Sequence, residues 1–248
     1  MDVLPQGSPS LGGAPTLTAH PLSQAIRTTF GGPSLDAMRI TKFGHACVRI
    51  QGDGGVVVID PGNFSEAEAL DGADAVLITH EHADHVHPDH LRGSDAPIWT
   101  IAAVERMLRT EAPDVAERVT VVRPGDRLEV AGTAIEVIGE KHAVIHPDYD
   151  RFDNSGYVLE SGGASVYHPG DALTPPGREV DVLLAPVSAP WLKVSEAIDF
   201  VREVAAPRSL AIHDRVYSDI GLDMVESHMA NLLPDGQAFV RRKPGEDL

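Results

Sequence analysis

A short apolar run, Ala75-Val76-Leu77-Ile78, stops in Thr79-His80-Glu81-His82-Ala83-Asp84-His85. The run reads as a fully buried strand. It therefore delivers His80, His82, Asp84 and His85 at a carboxyl end, where open α/β sheets place ligands. Residues two apart on an extended segment share a face, so His80 and His82 can converge on one ion. Asp84 and His85 follow once the chain has turned and can reach a second ion beside it.

The pattern recurs. His142 follows the strand expected over 133–138, Asp171 follows that over 164–167, and His213 follows that over 210–212. A lone histidine at a strand end is commonly structural; four strand ends carrying such residues point to a metal centre. Histidine nitrogen with aspartate oxygen and no thiolate suits zinc, manganese or iron, with zinc the default for hydrolysis.

Residues 1–37 are rich in Pro, Gly, Ser and Thr and sustain no period, so they read as a loosely ordered extension with at most a short helix over 23–30. The domain is expected over 38–248. Strands are expected over 39–43, 47–51, 56–60, 75–78, 98–101, 119–122, 127–130, 133–138, 156–160, 164–167, 180–185, 210–212 and 238–240. Helices are expected over 66–70 with Ser65 as cap, 88–91, 102–111, 194–205 with Ser195 as cap, and 222–233. A polar loop over 140–154 carries His142 and His146. Two strand-rich halves, each followed by helices, imply two sheets face to face with helices outside.

Composition narrows the function. The formal charge of −17, from 37 acids against 20 bases, disfavours a nucleic-acid backbone as partner, because such binding neutralises phosphates with Lys and Arg. No run of eighteen apolar residues supports a membrane span, and no basic start followed by an apolar core marks a secretory signal; a cytoplasmic enzyme is expected. Cys47 is the single cysteine. It excludes intramolecular disulfides and multi-cysteine zinc sites and reads as a small buried apolar group.

The sequence His80-Glu81-His82-Ala83-Asp84-His85, the Asp60 strand end, His168-Pro169-Gly170-Asp171 and His213 together resemble the metallo-β-lactamase superfamily, over about 38–240. Gly44-His45-Ala46 and the compact length look most like the branch containing L-ascorbate-6-phosphate lactonase. The resemblance implies a four-layer αββα sandwich of two mixed β-sheets and a metal-dependent hydrolase with two divalent ions, zinc by default. Carried over by position, His80, His82 and His142 would hold one ion; Asp84, His85 and His213 would hold the other; Asp171 would bridge. His142 follows its strand by fewer residues and is preferred to His146, which is left to line the pocket or support a ligand. His45 and His168 are open between orienting ligands, contacting substrate and a plain structural role. Asp60 is expected to hydrogen-bond a metal-bound histidine. Trp191 is open between lining the pocket and packing.

Departures from the superfamily's branches sharpen this. Members that hydrolyse β-lactams often use a cysteine near the second metal, and Cys47 lies far from the motifs. The flavodiiron branch carries glutamate where His82 stands, and the nucleases carry an RNA-gripping arm not visible here. The expectation is a bridging hydroxide, oriented or deprotonated by Asp84, attacking a small ester, lactone or phosphodiester. The alternatives are a phosphodiesterase acting on nucleotides or short nucleic acid and a non-hydrolytic single-iron oxygenase.

Overall fold

The computed structural model describes residues 38–248. The extension over 1–37 and the short helix over 23–30 lie outside the described residues. Two mixed sheets face each other. In the first, β1 (Arg39–Lys42), β2 (Val48–Gly52) and β3 (Gly55–Ile59) form an antiparallel meander, and β4 (Ala75–Ile78), β5 (Ile98–Thr100) and β6 (Val119–Val121) add in parallel. The second repeats that plan. Its strands β7 (Arg127–Val130), β8 (Thr133–Ile138), β9 (Gly156–Ser161) and β10 (Ala164–His168) are antiparallel. The parallel strands β11 (Val182–Pro186), β12 (Arg208–Ile212) and β13 (Ala238–Val240) follow.

The alternation of side chains along each strand builds three apolar layers. Val57, Ile59 and Leu77 point inward and meet Ile135, Tyr157, Leu159, Leu184 and Ile212 of the other sheet. Val58, Val76 and Ile78 point outward onto α1 (Pro88–Arg92), α2 (Ala102–Glu111) and α3 (Pro113–Ala116) through Leu91, Val104, Leu108 and Val115. On the other flank Leu183, Ala185 and Ala211 meet α4 (Val194–Val204) and α5 (Asp219–Leu232) through Ile198, Val201, Val225 and Met229. Because both faces of these parallel strands are covered, they read as unbroken apolar runs rather than alternating ones. The layers are those of the expected αββα sandwich.

Two expected caps are corrected. Ser65 donates to the Gly62 carbonyl at 2.6 Å, and the element after it is a single 3-10 turn, Ala67–Leu70, with no side-chain cap. Ser195 lies inside the first turn of α4; there the Glu196 carboxylate accepts from the Lys193 N–H at 3.1 Å. The last long helix starts earlier than its apolar period suggests, because the Ser218 hydroxyl accepts from Gly221 N–H at 3.4 Å. Among the described residues no helix is long and apolar enough to cross a membrane.

The parallel strands β3, β4 and β12 and the hairpin strand β10 all end at one rim, and Asp60, His80, His213 and Asp171 each lie within three residues of such an end. The rim is therefore where chemistry is concentrated.

Candidate metal centre

His80, His82, His142 and Asp171 form one group of side chains there, and His45, Asp84, His85 and His213 form a second. Within each group one ligand-capable atom per residue lies within 4.8 Å of the others. Asp171 stands between the groups. Its Oδ2 is 3.3 Å from His142 Nε2, 3.1 Å from His213 Nε2 and 4.0 Å from His80 Nε2, and its Oδ1 is 3.1 Å from His85 Nε2. His80 Nε2 and His82 Nδ1 are 3.1 Å apart. Such separations are those between neighbouring ligand atoms around a cation bound at about 2.0–2.2 Å.

The outward nitrogens fix the ring orientations. His85 Nδ1–H donates to Asp60 Oδ2 at 2.7 Å, His142 Nδ1–H to the Ala143 carbonyl at 2.6 Å, and His213 Nδ1–H to the Ser188 carbonyl. His80 Nδ1 lies 3.0 Å from Thr79 Oγ1, whose own hydrogen goes to Asp60 Oδ2 at 2.7 Å, so the ring donates there too. Each ring is thereby left with its Nε2 lone pair facing the centre, the arrangement that histidine ligands adopt. Nε2 of His85, His142 and His213 and Oδ1 of Asp171 are buried and carry no hydrogen bond. Buried polar atoms left so are costly, and a pair of divalent cations would satisfy all four. The donor set, nitrogen and carboxylate oxygen without sulfur, fits zinc, manganese or iron.

His45 differs from the others. Its Nδ1 accepts from the Arg215 N–H at 3.3 Å, and burial pushes its pKa down to about 4, so its single ring proton sits on Nε2. That proton is donated to Asp84 Oδ2 at 3.0 Å. His45 thus orients the Asp84 carboxylate rather than offering a lone pair.

Backbone strain is concentrated here. His45, Asp60 and His213 have φ of 45°, 50° and 52°, a left-handed conformation uncommon outside glycine and characteristic of functional sites. Gly62 passes so close to the next loop that a Cβ would strike the Asp84 carbonyl. Gly170, at φ +64°, turns the chain into Asp171; a Cβ there would lie 2.8 Å from Thr79 Cβ. Asn154 clamps this turn, donating to the Pro169 carbonyl at 2.9 Å and accepting from the Asp171 N–H at 3.0 Å. His168 holds it from behind, accepting from Gly170 N–H at 3.0 Å and donating to the Ala46 carbonyl at 2.9 Å.

The electrostatics follow from gathering three carboxylates among histidines, those of Asp60 and Asp171 buried and that of Asp84 partly open to solvent. Burial alone would push His85 down, but the carboxylates of Asp171 and Asp60 raise it well above its ordinary value. His213 likewise rises to about 9 against its burial, drawn up by Asp171 and Asp84. Asp171 and Asp84 are held far below the usual carboxylate range: burial opposes this, and the neighbouring histidines outweigh it. His80 is pushed down by burial and then by His85. The negative charge of the site is therefore poised to draw in cations, which compete with protons for the same nitrogens.

Of the residues singled out from sequence, His80, His82, His142, Asp171, Asp84, His85 and His213 are all brought together. His146 is not: its side chain is 58% exposed and lies 3.7 Å from Asp148. Asp60 supports His85 and the Thr79 N–H. Trp191 N–H donates to Asp171 Oδ2 at 3.1 Å, so it touches the centre. Cys47 is buried in the core behind the first sheet, and burial pushes its thiol up. Asn154, Thr79 and Arg215 were not anticipated in these roles; they are recognisable only once distant loops meet. His142→Ala is expected to lower metal content at the first group, whereas His146→Ala leaves metal bound; metal counts per chain after dialysis distinguish the two, and the reverse pattern would move the ligand four residues along.

Comparison with known proteins places these observations in a family context. The family model described as the Beta-lactamase superfamily domain matches residues 39–213, a span that contains every residue of both groups. Rv0786c of Mycobacterium tuberculosis is 38% identical over 184 residues, covering 72% of this chain and 85% of its own. A UPF0173 metal-dependent hydrolase of Pyrococcus abyssi is 27% identical over 232 residues, covering 85% of this chain and 99% of its own. Among solved structures Igni18, a metallo hydrolase of Ignicoccus hospitalis, is similar with a TM-score of 0.65 at 20% identity, over 85% of this chain and 97% of its own.

Proposed function

The chain belongs to the beta-lactamase superfamily, and from that premise we propose that it is a metal-dependent hydrolase with a dinuclear centre, acting on a small ester, lactone or phosphodiester. The observation that carries this reading is the convergence of four unpartnered ligand atoms, three imidazole nitrogens and one carboxylate oxygen, on one buried spot. In this reading His80, His82 and His142 would hold one ion and Asp84, His85 and His213 the other, with Asp171 placed between the two groups to serve both. Bound divalent cations supply a water acidic enough to ionise near neutral pH and polarise the scissile carbonyl or phosphoryl oxygen.

The chain's own residues do the rest. Asp84, its side chain partly open to solvent and oriented by the His45 N–H, is placed to orient the attacking oxygen and take its proton. Trp191 N–H draws one Asp171 oxygen to a fixed position. The aromatic rings of Phe64 against His45, at 5.3 Å, and Phe152 against His82, at 4.5 Å, restrict water on two sides. The Gly44-His45-Ala46 segment keeps a lactone among the candidate substrates, and the charge of −17 argues against long nucleic acids.

Metal analysis of the purified protein followed by a panel of lactones, thioesters and phosphodiesters tests the reading. Two zinc or manganese ions per chain, with turnover of one class lost on chelation and restored by metal, is the expected result. One iron per chain with oxygen consumption and no hydrolysis would overturn it.

A further inference from the structure

Asp171 stands between the two groups, and its two oxygens are not alike. Oδ1 is buried, carries no hydrogen bond and has His85 Nε2 of the second group 3.1 Å away. Oδ2 lies 3.3 Å from His142 Nε2 and 4.0 Å from His80 Nε2 of the first group, and 3.1 Å from His213 Nε2 of the second. Those distances alone would let Oδ2 serve both ions by itself. Oδ2, however, also accepts the Trp191 indole N–H at 3.1 Å.

The fold places that indole independently of any ion. Trp191 lies in the turn over 189–192, closed by the Leu192 N–H to the Ala189 carbonyl at 3.1 Å, and its ring packs on the apolar layer under α4. Three residues earlier, Ser188 is fastened to the second group: its N–H and its hydroxyl donate to the His213 carbonyl at 3.1 Å and 2.6 Å. The indole stands across both groups, its ring centroid 5.6 Å from that of His142 and 6.2 Å from that of His213. The carboxylate therefore turns to meet a fixed donor.

An ionised carboxylate oxygen offers two lone-pair sites. On Oδ2 the indole takes one and leaves one. We propose that Trp191 is a positioning residue that divides the bridge: Oδ2 is kept for the ion of the first group, and Oδ1 takes the ion of the second. Asp171 then gives one oxygen to each ion rather than one oxygen to both. The inference rests on the dinuclear reading and specifies how its shared ligand is used.

The full chain, stripped with chelator and reloaded with zinc, tests this without turnover. Trp99 and Trp191 are the two tryptophans, so a proton–nitrogen NMR spectrum shows two indole signals, and Trp191→Phe identifies one of them by its loss. With two zinc ions bound, the Trp191 indole proton is expected to shift yet to exchange with solvent at least about tenfold more slowly than free indole. A bridge through one oxygen would need both lone pairs of Oδ2 and would release the indole. Two ions bound with the indole exchanging freely would overturn the division of the oxygens and leave the dinuclear reading standing. Trp191→Phe keeps a ring beside His142 and His213 but removes the N–H. It should weaken the ion of the first group, the one that His142→Ala displaces, by about 10–100-fold, and the other by less than about threefold. Titration with cadmium, which gives one NMR resonance per bound ion, reads the two separately. Equal weakening of both ions, as a packing role alone would give, or no weakening of either would also overturn the assignment. A wild-type chain that holds a single ion would sink the dinuclear reading and this division with it.

Discussion

Asp171→Asn is expected to lose one of two bound ions and to cut turnover by more than about 100-fold, while the fold persists. Its backbone N–H bond to Asn154, at 3.0 Å, is independent of the side-chain charge and survives in the variant. The side chain is different: its two oxygens are within 3.1–4.0 Å of Nε2 on four histidines, two from each group. Two divalent cations about 4 Å apart repel by on the order of 15 kcal/mol at an effective dielectric of about 20. Asp171 and Asp84 are the two carboxylates set among the proposed ligands that can offset this, and the amide removes one of those charges together with one good donor atom. Losing a partner that only supports a ligand costs about 10–100-fold in metal affinity or activity, so losing a ligand should exceed that. Asp171→Glu should be nearly as harmful, since one more methylene drives the carboxylate into nitrogens already 3.1 Å away. Metal stoichiometry beside turnover decides it. Two ions retained with near-normal rate in Asp171→Asn would sink the bridging role and the dinuclear reading with it.

The parts legible in sequence were those set by local pattern. The run Ala75–Ile78 is apolar throughout because one face meets Ile135 and Leu184 and the other meets the helices, and that double burial leaves an unambiguous signature. The helix Ala102–Glu111 was equally clear from its period and from Pro113 beyond it. Pro113 itself starts the four-residue α3, too short to show a period. His142 could be preferred to His146 only by its nearness to a strand end; what separates them physically is that one ring is buried against Asp171 and the other reaches water.

The supporting residues were illegible for a related reason. Nothing in the neighbours of Asn154 says that it clamps Pro169 and Asp171, fifteen and seventeen residues away. Nor does Gly44-His45 reveal that His45 adopts φ 45° and receives a backbone N–H from Arg215, 170 residues on. Such roles are created where the two halves meet at the rim. The motif supplies the donors; the meeting of loops decides which nitrogen of each ring faces inward.

The second large effect is expected at Asp60, which touches neither group's open centre. Its carboxylate is fully buried and accepts three hydrogen bonds: Thr79 N–H at 2.8 Å, Thr79 Oγ–H at 2.7 Å and His85 Nδ1–H at 2.7 Å. Its backbone stands at φ 50°, which aspartate and asparagine tolerate better than alanine. Asp60→Ala removes the acceptor for all three donors and puts a β-carbon into left-handed backbone without a compensating side-chain bond. Breaking a buried pair in this way costs about 3–5 kcal/mol, which for a domain of this size lowers Tm by roughly 6–20 °C. Asp60→Asn separates support of the ligand from support of the fold. The amide keeps the left-handed preference and one oxygen acceptor, so stability should fall by only about 1–3 kcal/mol. Its single oxygen can serve Thr79 N–H at the Oδ1 position or Thr79 Oγ–H and His85 Nδ1–H at the Oδ2 position. Even there it is an uncharged and weaker acceptor, so the hold that turns His85 Nε2 inward slackens and metal affinity should fall by about 10–100-fold. Calorimetry with chelator present reads the first quantity and metal titration the second. Wild-type metal affinity in Asp60→Asn would show that packing alone orients His85, and that the buried carboxylate serves the fold and not the centre.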